Sequence, residues 1–190
     1  MTLLFINGSP RREGHISQML AAMRSEAESA GHKVIDVNVY SLSVAPCRGC
    51  MQCRSARRCA LPADDAVRVA ALLGQADALV IGAPCYWGNM PGQLKLLFDR
   101  LVYALMDDRA PGLPRPLHKG KRAVIVSTCT TAFPFNILFK QSCGAIHAVR
   151  EVLRWSGFRV AGTMEKGGTR SHTGLTESEL RRCRRLIRKL

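Results

Sequence analysis

A short polar segment near the start of the chain has the residue types of an anion-binding loop. Gly8, Ser9 and Pro10 interrupt an unbroken apolar run, and Arg11 and Arg12 follow at once. If a strand ends here and a helix begins just beyond, unpaired backbone N–H groups and the positive end of the helix dipole point to one place. Ser9 and Ser17 could add hydroxyl donors, and Arg11 and Arg12 could add positive charge. We therefore predict a phosphate site, and the alternative is a plain turn with two solvated arginines.

The same loop lacks the two best-known phosphate motifs. No Lys followed by Ser or Thr comes after its glycines, and the spacing of Gly8 and Gly14 does not fit GxGxxG. The expected phosphate therefore does not belong to ATP or to a dinucleotide.

A second loop, residues 84–91, has the residue types that bind a flat heteroaromatic ring. Tyr86 and Trp87 offer stacking surface, Gly88 permits close backbone approach, and Asn89 can hydrogen bond to a ring edge. The alternative, packing of Trp87 in the core, is disfavoured by the proline and glycine on either side of it.

A third cluster consists of four of the eight cysteines, spaced as CxxCxxCx5C: Cys47, Cys50, Cys53 and Cys59. Three closely spaced thiolates can bind one face of a 4Fe-4S cluster, and a fourth can complete the site. Structural zinc more often uses two separated CxxC pairs. We expect a 4Fe-4S cluster, and a zinc ion or free or oxidised thiols remain as alternatives. Cys143 and Cys183 are expected on helix faces.

The elements that must position these loops follow from the hydrophobic pattern. Five apolar segments are predicted as strands, and they alternate with helices: residues 2–6, 33–39, 78–83, 123–126 and 158–164. The first, third and fourth are apolar throughout and belong in the centre of a sheet, whereas the second and fifth alternate and belong at its edges. This predicts an α/β protein with a doubly wound, five-stranded parallel sheet in the order 2-1-3-4-5.

In that order, three loops meet at the carboxyl edge beside the switch between strands 1 and 3: residues 8–17, 84–91 and 127–136. A phosphate at the first loop and a ring at the second imply FMN. Between the strands we predict one helix carrying the apolar stripe Leu94 to Leu105, one ending near Gly157, and surface loops at residues 47–59 and 107–121.

Several motifs together resemble those of the flavodoxin-like NAD(P)H-dependent FMN reductases and quinone oxidoreductases: residues 8–11 (GSPR), residues 84–95 (PCYWGNMPGQLK) and Asp99-Arg100. The cysteine segment followed by Asp64-Asp65 is similar to the iron-sulfur flavoprotein branch of that family. The resemblance covers nearly the whole chain and implies a flavodoxin-like fold.

The resemblance also implies roles for individual residues. Ser9, Arg11 and the start of the first helix would hold the FMN phosphate. His15-Ile16 replaces the Asn-Thr that is usual in the family, so we expect Ser17 to supply the missing hydroxyl. The ring and ribityl contacts would come from Pro84, Cys85, Tyr86, Trp87, Gly88, Asn89, Thr128, Cys129 and Thr130. The flavin would carry the chemistry, so no catalytic acid or base is expected.

The formal net charge of +14 favours anionic ligands or acidic partners. Much of this charge lies in a predicted basic helix at residues 176–190. We expect that helix to dock by the stripe Leu180, Cys183, Ile187 and Leu190, and we do not expect a nucleic-acid site. No segment has about 18 uninterrupted apolar residues. We expect one domain over residues 1–190, in a cytoplasmic protein without a membrane span.

The expected function is transfer of electrons from NAD(P)H through FMN to a quinone, a flavin or another small acceptor. The alternative is an electron carrier that receives electrons from a ferredoxin-like protein through the cysteine-bound cluster. The resemblance further implies a homodimer or homotetramer with the active site near a subunit boundary.

Overall fold

The structure, a computed structural model, describes residues 1–109, 112–171 and 174–190. Its strands are β1 Thr2–Asn7, β2 Lys33–Asn38, β3 Ala78–Pro84, β4 Met106–Asp107, β5 Arg115–Pro116, β6 Arg122–Thr128 and β7 Arg159–Lys166. Its α-helices are α1 His15–Ser29, α2 Gln52–Ala56, α3 Asp65–Gln75, α4 Gly92–Arg100, α5 Val102–Leu105, α6 Phe135–Leu138, α7 Gln141–Ser156 and α8 Glu177–Ile187. A short 3-10 helix, Val39–Ser41, follows β2.

Five strands form one parallel sheet in the spatial order β2-β1-β3-β6-β7. Counted along the chain among these five, the order is 2-1-3-4-5, so the predicted doubly wound sheet is confirmed. All of β3, the four central residues of β1 and six of the seven residues of β6 are buried, while β2 and β7 lie at the edges and are partly exposed. Strands with a continuous apolar pattern therefore lie in the centre of the sheet, and strands with an alternating pattern lie at its edges, as predicted.

Helices cover both faces of this sheet. One face packs against α3, α4 and α7, and the other packs against α1 and α8. Helix α1 buries five apolar residues that recur at helical spacing: Ile16, Met19, Leu20, Met23 and Ala27. Because that stripe lies flat on the sheet, the first turn of α1 is held at the carboxyl edge of the strands.

The last helix, α8, packs against α1 and β7. It buries Cys183 and Ile187 of the predicted stripe together with Leu186, while Leu180 and Leu190 are half-buried. Thr176 and Glu179 form a capping box at its start. None of the helices in the described ranges is long and apolar enough to cross a bilayer.

Three predicted segments differ in detail from the structure. The helix expected to run to Leu105 is interrupted at Leu101, whose N–H is shared between the carbonyl groups of Leu97 and Phe98 at 3.1 Å each, and α5 follows. The loop at 47–59 contains the short helix α2. The loop at 107–121 contains β5, which pairs with β4, and its residues 110 and 111 lie outside the described ranges.

Candidate functional site

A cleft opens at the carboxyl edge of the sheet, where the ends of β1, β3 and β6 meet. Its empty volume is about 470 Å³ including the open mouth. The lining residues are Ser9, Arg11, Gly14, His15, Ile16, Pro84, Cys85, Tyr86, Thr128, Cys129, Thr130 and Thr169. The three predicted loops therefore converge on one cleft. No carboxylate is among these lining residues, so this part of the described structure suits an anionic ligand.

One end of the cleft is built by a tightly held turn after β1. The Gly8 N–H donates to the Gly82 carbonyl at 2.8 Å, and a Cβ on Gly8 would lie only 2.9 Å from that oxygen. The Ser9 N–H donates to Asn7 Oδ1 at 2.9 Å, and the Arg11 N–H donates to Ser9 Oγ at 3.2 Å. The turn is thus braced by its own side chains, while the Arg11 side chain is left exposed at its rim.

The start of α1 completes this end of the cleft. Its N-cap, Gly14, makes no side-chain capping hydrogen bond, and the first turn contains no acidic residue. A Cβ on Gly82 would lie 2.6 Å from Ile16 Cγ2, so only glycine lets the helix start approach β3 this closely. The first-turn N–H groups and the helix dipole can therefore serve an anion beside Ser9 and Arg11.

The opposite end is formed by the turn after β3. Tyr86 and Asn89 exchange two backbone hydrogen bonds of 2.9 and 3.0 Å, and the two residues between them, Trp87 and Gly88, have φ values of 54° and 70°. Two consecutive positive φ angles are typical of a type I′ turn. This turn places Tyr86 on the cleft and leaves the Trp87 side chain fully exposed, outside the lining.

The segment after β7 supports the third loop. The Cys129 N–H donates to the Lys166 carbonyl at 2.9 Å, and Thr169 donates to the Cys129 carbonyl from its N–H at 3.2 Å and from its hydroxyl at 3.0 Å. Sequence reasoning missed Thr169 as a lining residue. The signal was its position at the carboxyl end of the fifth strand, the same edge where the other loops meet.

The structure brings together most of the residues predicted to bind the cofactor. Those on the cleft are Ser9, Arg11, Pro84, Cys85, Tyr86, Thr128, Cys129 and Thr130. Those outside its lining are Ser17, Trp87, Gly88 and Asn89. Asn89 Oδ1 accepts from the Met90 N–H at 2.8 Å, so this side chain braces its own loop.

Ser17 faces away from the cleft. Its hydroxyl donates to the Arg11 carbonyl at 2.9 Å and accepts from Asn7 Nδ2 at 3.1 Å. It lines a separate cavity together with Arg12, Arg24 and other residues. In this arrangement Ser17 braces the anion loop from behind.

The residues of the cleft fit FMN by their donor chemistry. Hydroxyl, guanidinium and helix N-terminal donors lie at one end, and an aromatic ring with threonine hydroxyl groups lies at the other. Burial raises the pKa of the Cys85 thiol and of the Cys129 thiol, so both are uncharged near neutral pH. The uncharged, partly apolar residues around Tyr86 suit a flavin ring, and the cationic residues around Arg11 suit the phosphate that is joined to it.

The four-cysteine loop lies apart from the cleft lining. Cys47 and Cys50 are exposed, and Cys53 and Cys59 are half-buried. Burial raises the pKa of Cys53, and the neighbouring Cys59, Cys47 and Cys50 raise it further. Within the described ranges, no three Cys, His, Asp or Glu side chains are arranged to hold a metal ion together. The part of the loop that the structure describes therefore shows no assembled metal or cluster site.

A buried ion pair closes the base of this loop. Asp64 accepts from the Ala45 N–H at 3.0 Å and from Arg100 Nη1 at 2.6 Å, and Arg100 Nη1 also donates to the Ala45 carbonyl at 2.7 Å. The Arg100 guanidinium hydrogen bonds to Cys59 as well. Burial acts to lower the pKa of Arg100, but the bonds to Asp64 and Cys59 outweigh it and raise that pKa.

The fold defines a doubly wound α/β protein with a cleft at the topological switch point of its sheet. The model of the family described as having a flavodoxin-like fold matches residues 1–186. The chain belongs to that family.

Two sequence relatives and one solved structure refine the comparison. The chain is 35% identical to an iron-sulfur flavoprotein of Methanosarcina thermophila over 102 residues, which are 54% of this chain and 53% of the relative. It is 31% identical to FMN-dependent NADH:quinone oxidoreductase 1 of Xanthomonas euvesicatoria over 67% of this chain and 66% of the relative. The NAD(P)H:quinone oxidoreductase of Methanothermobacter marburgensis superposes with a TM-score of 0.69 at 21% identity, covering 99% of this chain and 96% of that one.

These relatives extend beyond the matched region. The chain spans about half the length of the iron-sulfur flavoproteins that it matches, 53% and 51% for two of them. The similarity to solved structures shows the fold.

Proposed function

We propose that the chain is an FMN-dependent oxidoreductase that takes electrons from NAD(P)H and passes them to a quinone, a flavin or another small acceptor. The observation that carries this proposal is the cleft in which the anion donors of the first loop and the aromatic ring of Tyr86 come together. The names of the relatives, an FMN-dependent NADH:quinone oxidoreductase among them, agree with it.

In this proposal the chain's own residues bind FMN and orient it in the cleft. Ser9, Arg11 and the first turn of α1 hold the phosphate, because they offer the charge-assisted donors at that end. Tyr86 and Thr128 to Thr130 contact the ring. FMN, when bound, supplies the group that accepts and donates hydride. Tyr86 lines the cleft and is 43% exposed, so a nicotinamide and then an acceptor would approach the ring beside it in turn.

The test combines binding with turnover. FMN and riboflavin are titrated into the purified chain by fluorescence, and NADH and NADPH oxidation is then followed with and without a soluble quinone. We expect FMN to bind more tightly than riboflavin and to support oxidation of at least one nicotinamide. An FMN-loaded protein that oxidises neither nicotinamide would remove the enzymatic proposal while leaving flavin binding intact.

A second candidate function, an electron carrier that works with a ferredoxin-like protein, is favoured by the charge of the four-cysteine loop. Arg48, Arg54, Arg57 and Arg58 are exposed there, and the sequence has no Asp or Glu between residues 37 and 63. Such a surface suits an acidic partner and predicts association that weakens with salt. A 4Fe-4S cluster on this loop would require its cysteines to move closer together than they lie here.

Anaerobic purification distinguishes the two functions. An iron-sulfur absorption shoulder with about four irons per chain and salt-sensitive reduction by ferredoxin would support the carrier. Protein without iron, whose four loop cysteines all react with a thiol reagent, would exclude it.

We further propose that the chain associates with a second copy through an exposed apolar surface near the cleft. Trp87 is fully exposed, and Phe133 and Leu138 are 80% and 69% exposed. The turn that carries Trp87 packs against the start of α7, because a Cβ on Gly144 would lie 2.0 Å from the Gly88 carbonyl oxygen. Helix α6 directly precedes α7 and contacts it. These apolar residues therefore surround one end of α7.

Sedimentation equilibrium tests the association. Leu138→Glu should shift the protein toward monomer, since it places a charge within the apolar surface. The matched control is Leu113→Glu. Leu113 is 79% exposed and lies just before β5, whose Pro116 lies close to Gly157 at the far end of α7. A monomeric native protein would overturn the proposal.

A further inference from the structure

Two cysteines follow directly from the last register pair of neighbouring strands. Pro84 of β3 pairs with Thr128 of β6, and Cys85 and Cys129 come next. The Cys85 N–H donates to the Thr128 carbonyl at 2.8 Å, so the pairing continues past the strand ends. Adjacent strands lie about 4.8 Å apart. That spacing is within the roughly 4.4 to 6.8 Å that a disulfide spans between Cα atoms.

The two side chains also point to the same face of the sheet. Side chains alternate along a strand, so Cys85 and Cys129 share the face of the buried pair Ala83 and Ser127. Helix α7 covers that face. Cys85 Sγ lies 2.8 Å from the Gln141 carbonyl oxygen.

The Cys129 thiol donates to the Thr131 carbonyl at 3.4 Å and also hydrogen bonds with Ser142, one residue further along the helix than Gln141. Both sulfur atoms therefore lie against the first turn of α7. The proximity of Cys129 also contributes to raising the pKa of Cys85.

Small molecules can reach this pair from solvent. Both residues line the cleft, and Cys85 is partly exposed there. Cys183 provides the contrast, since it is fully buried and its thiol lies 3.5 Å from Met164 Sδ. All eight cysteines are free thiols in the structure.

We propose that Cys85 and Cys129 form a redox pair that closes an intramolecular disulfide across the cleft when the protein meets a small-molecule disulfide. One thiol attacks the small disulfide and releases one small thiol, and the second cysteine displaces the other. An S–S bond forms in the protein, and the two electrons and two protons leave with the small thiols. The disulfide joins the loop at residues 84–91 to the loop at residues 127–136. Its effect on the flavin rests on the proposed function, whereas its formation does not.

Peptide mapping of the full chain tests the bond directly. The protein is treated with hydroxyethyl disulfide, remaining thiols are alkylated, and the product is digested with trypsin. Cleavage after Lys95, Arg122, Lys140 and Arg150 places Cys85, Cys129 and Cys143 in three different peptides. We expect the peptides of Cys85 and Cys129 to be linked, with loss of alkylation at both residues, and the link to disappear after dithiothreitol.

Cys143 is a possible competitor, because it lies in the first turn of α7 and also contributes to raising the pKa of Cys85. Cys143→Ser should keep the link, and Cys129→Ser should lose it while circular dichroism shows a native fold. A link from Cys85 to Cys143, or a stable mixed disulfide on Cys85 in the native protein, would overturn the proposal.

Flavin titrations of the oxidised and reduced forms separate this inference from the proposed function. We expect weaker FMN binding in the oxidised form, since the bond draws the two loops together. If FMN binds but no link forms, this inference fails alone. If the link forms and neither form binds FMN, the proposed function fails and the redox pair stands.

Discussion

The guanidinium of Arg100 lies against the carboxylate of Asp64, with Nη1 at 2.6 Å from Oδ2 and Nη2 at 3.2 Å from Oδ1. The Arg100 side chain is fully buried, and its Nε has no hydrogen-bond partner in the described part of the chain. Asp64 also accepts from the Ala66 N–H and caps α3. One carboxylate thus joins α3, α4 and the base of the four-cysteine loop.

Asp64→Asn should destabilise the protein strongly. Asparagine can still cap α3, but it leaves the buried charge of Arg100 without a counter-ion, and breaking a buried pair typically costs about 3 to 5 kcal/mol. Urea unfolding at neutral pH measures this loss. The double variant Asp64→Asn with Arg100→Met should recover part of the stability, since it removes the charge that was left unpaired.

The matched control for this pair is Asp99→Asn. Asp99 accepts from Lys95 Nζ at 2.6 Å, but both side chains are about half exposed. Surface pairs of this kind contribute roughly 0.3 to 0.5 kcal/mol. Equal losses for Asp64→Asn and Asp99→Asn would contradict the role assigned to the buried pair.

Gly144→Ala should disturb the ring end of the cleft from a distance. A Cβ at this position would lie 2.0 Å from the Gly88 carbonyl oxygen, so the turn that carries Tyr86 must move. We expect a loss of about 1 to 3 kcal/mol in the free energy of unfolding, as for other overpacked sites. We also expect weaker binding of both FMN and riboflavin, measured by fluorescence titration.

Gly74→Ala is the control for a glycine within a helix. Nothing lies within 4 Å of a Cβ placed there, and the residue is exposed on α3. This change should raise stability by about 0.5 to 1 kcal/mol, because alanine favours the helix. Its flavin affinity should match that of the parent protein. A Gly144→Ala protein that keeps the parental flavin affinity would show that the turn and α7 are not coupled.

The sheet order and the convergence of the loops were predictable because they depend on burial of whole segments. A strand such as 78–83, apolar at every position, can lie only in the centre, and the stripe from Ile16 to Ala27 determines how α1 lies on the sheet. Parallel strands then place their carboxyl-end loops at one edge. The lining by Ser9, Tyr86 and Thr130 follows from that topology.

Side-chain direction within the loops was not predictable from residue type. Trp87 was expected to frame the ring, but consecutive positive φ angles at Trp87 and Gly88 turn its side chain to solvent. Ser17 lies close in sequence to Ser9 and Arg11, so its hydroxyl group was expected to contact the phosphate. Hydrogen bonds with Asn7 and Arg11 instead hold this hydroxyl group behind the loop. Such outcomes depend on local backbone geometry, which the apolar pattern does not encode.

His118 should make stability depend on pH. Its ring stacks on Phe158 with centroids 4.8 Å apart, and its Nε2 lies 2.8 Å from the Ala104 carbonyl oxygen. Burial lowers the pKa of His118 in the folded protein, so the unfolded chain binds a proton more readily. Stability should therefore fall as the pH drops below about 6.5, the ordinary value for histidine.

Urea midpoints between neutral pH and mild acid measure this slope. His118→Gln keeps a donor for the Ala104 carbonyl but cannot titrate, so its midpoints should change less with pH. His147→Gln, which replaces an exposed side chain on α7, should leave the parental slope in place. If the urea midpoints of His118→Gln change with pH as much as those of the parental protein, the pH dependence arises from other groups.

Arg11→Ala should separate recognition of the phosphate from recognition of the ring. Arg11 lines the cleft beside Ser9 and the uncapped start of α1, where it can pair with a phosphate group. Loss of one hydrogen bond to a charged group costs about 1.5 kcal/mol, which corresponds to roughly a tenfold weaker affinity for FMN. Riboflavin lacks the phosphate, so its affinity should stay at the parental value.

Arg12→Ala provides the matched control one residue away. Arg12 lines the separate cavity behind the loop, together with Ser17 and Arg24, and does not face the cleft. Removing it lowers the net charge by the same amount as Arg11→Ala, so any general electrostatic effect on FMN is shared by both variants. Fluorescence titrations at two salt concentrations should show the extra FMN-specific loss only in Arg11→Ala. Equal losses in the two variants, or an equal loss of riboflavin affinity in Arg11→Ala, would mean that the phosphate is held elsewhere.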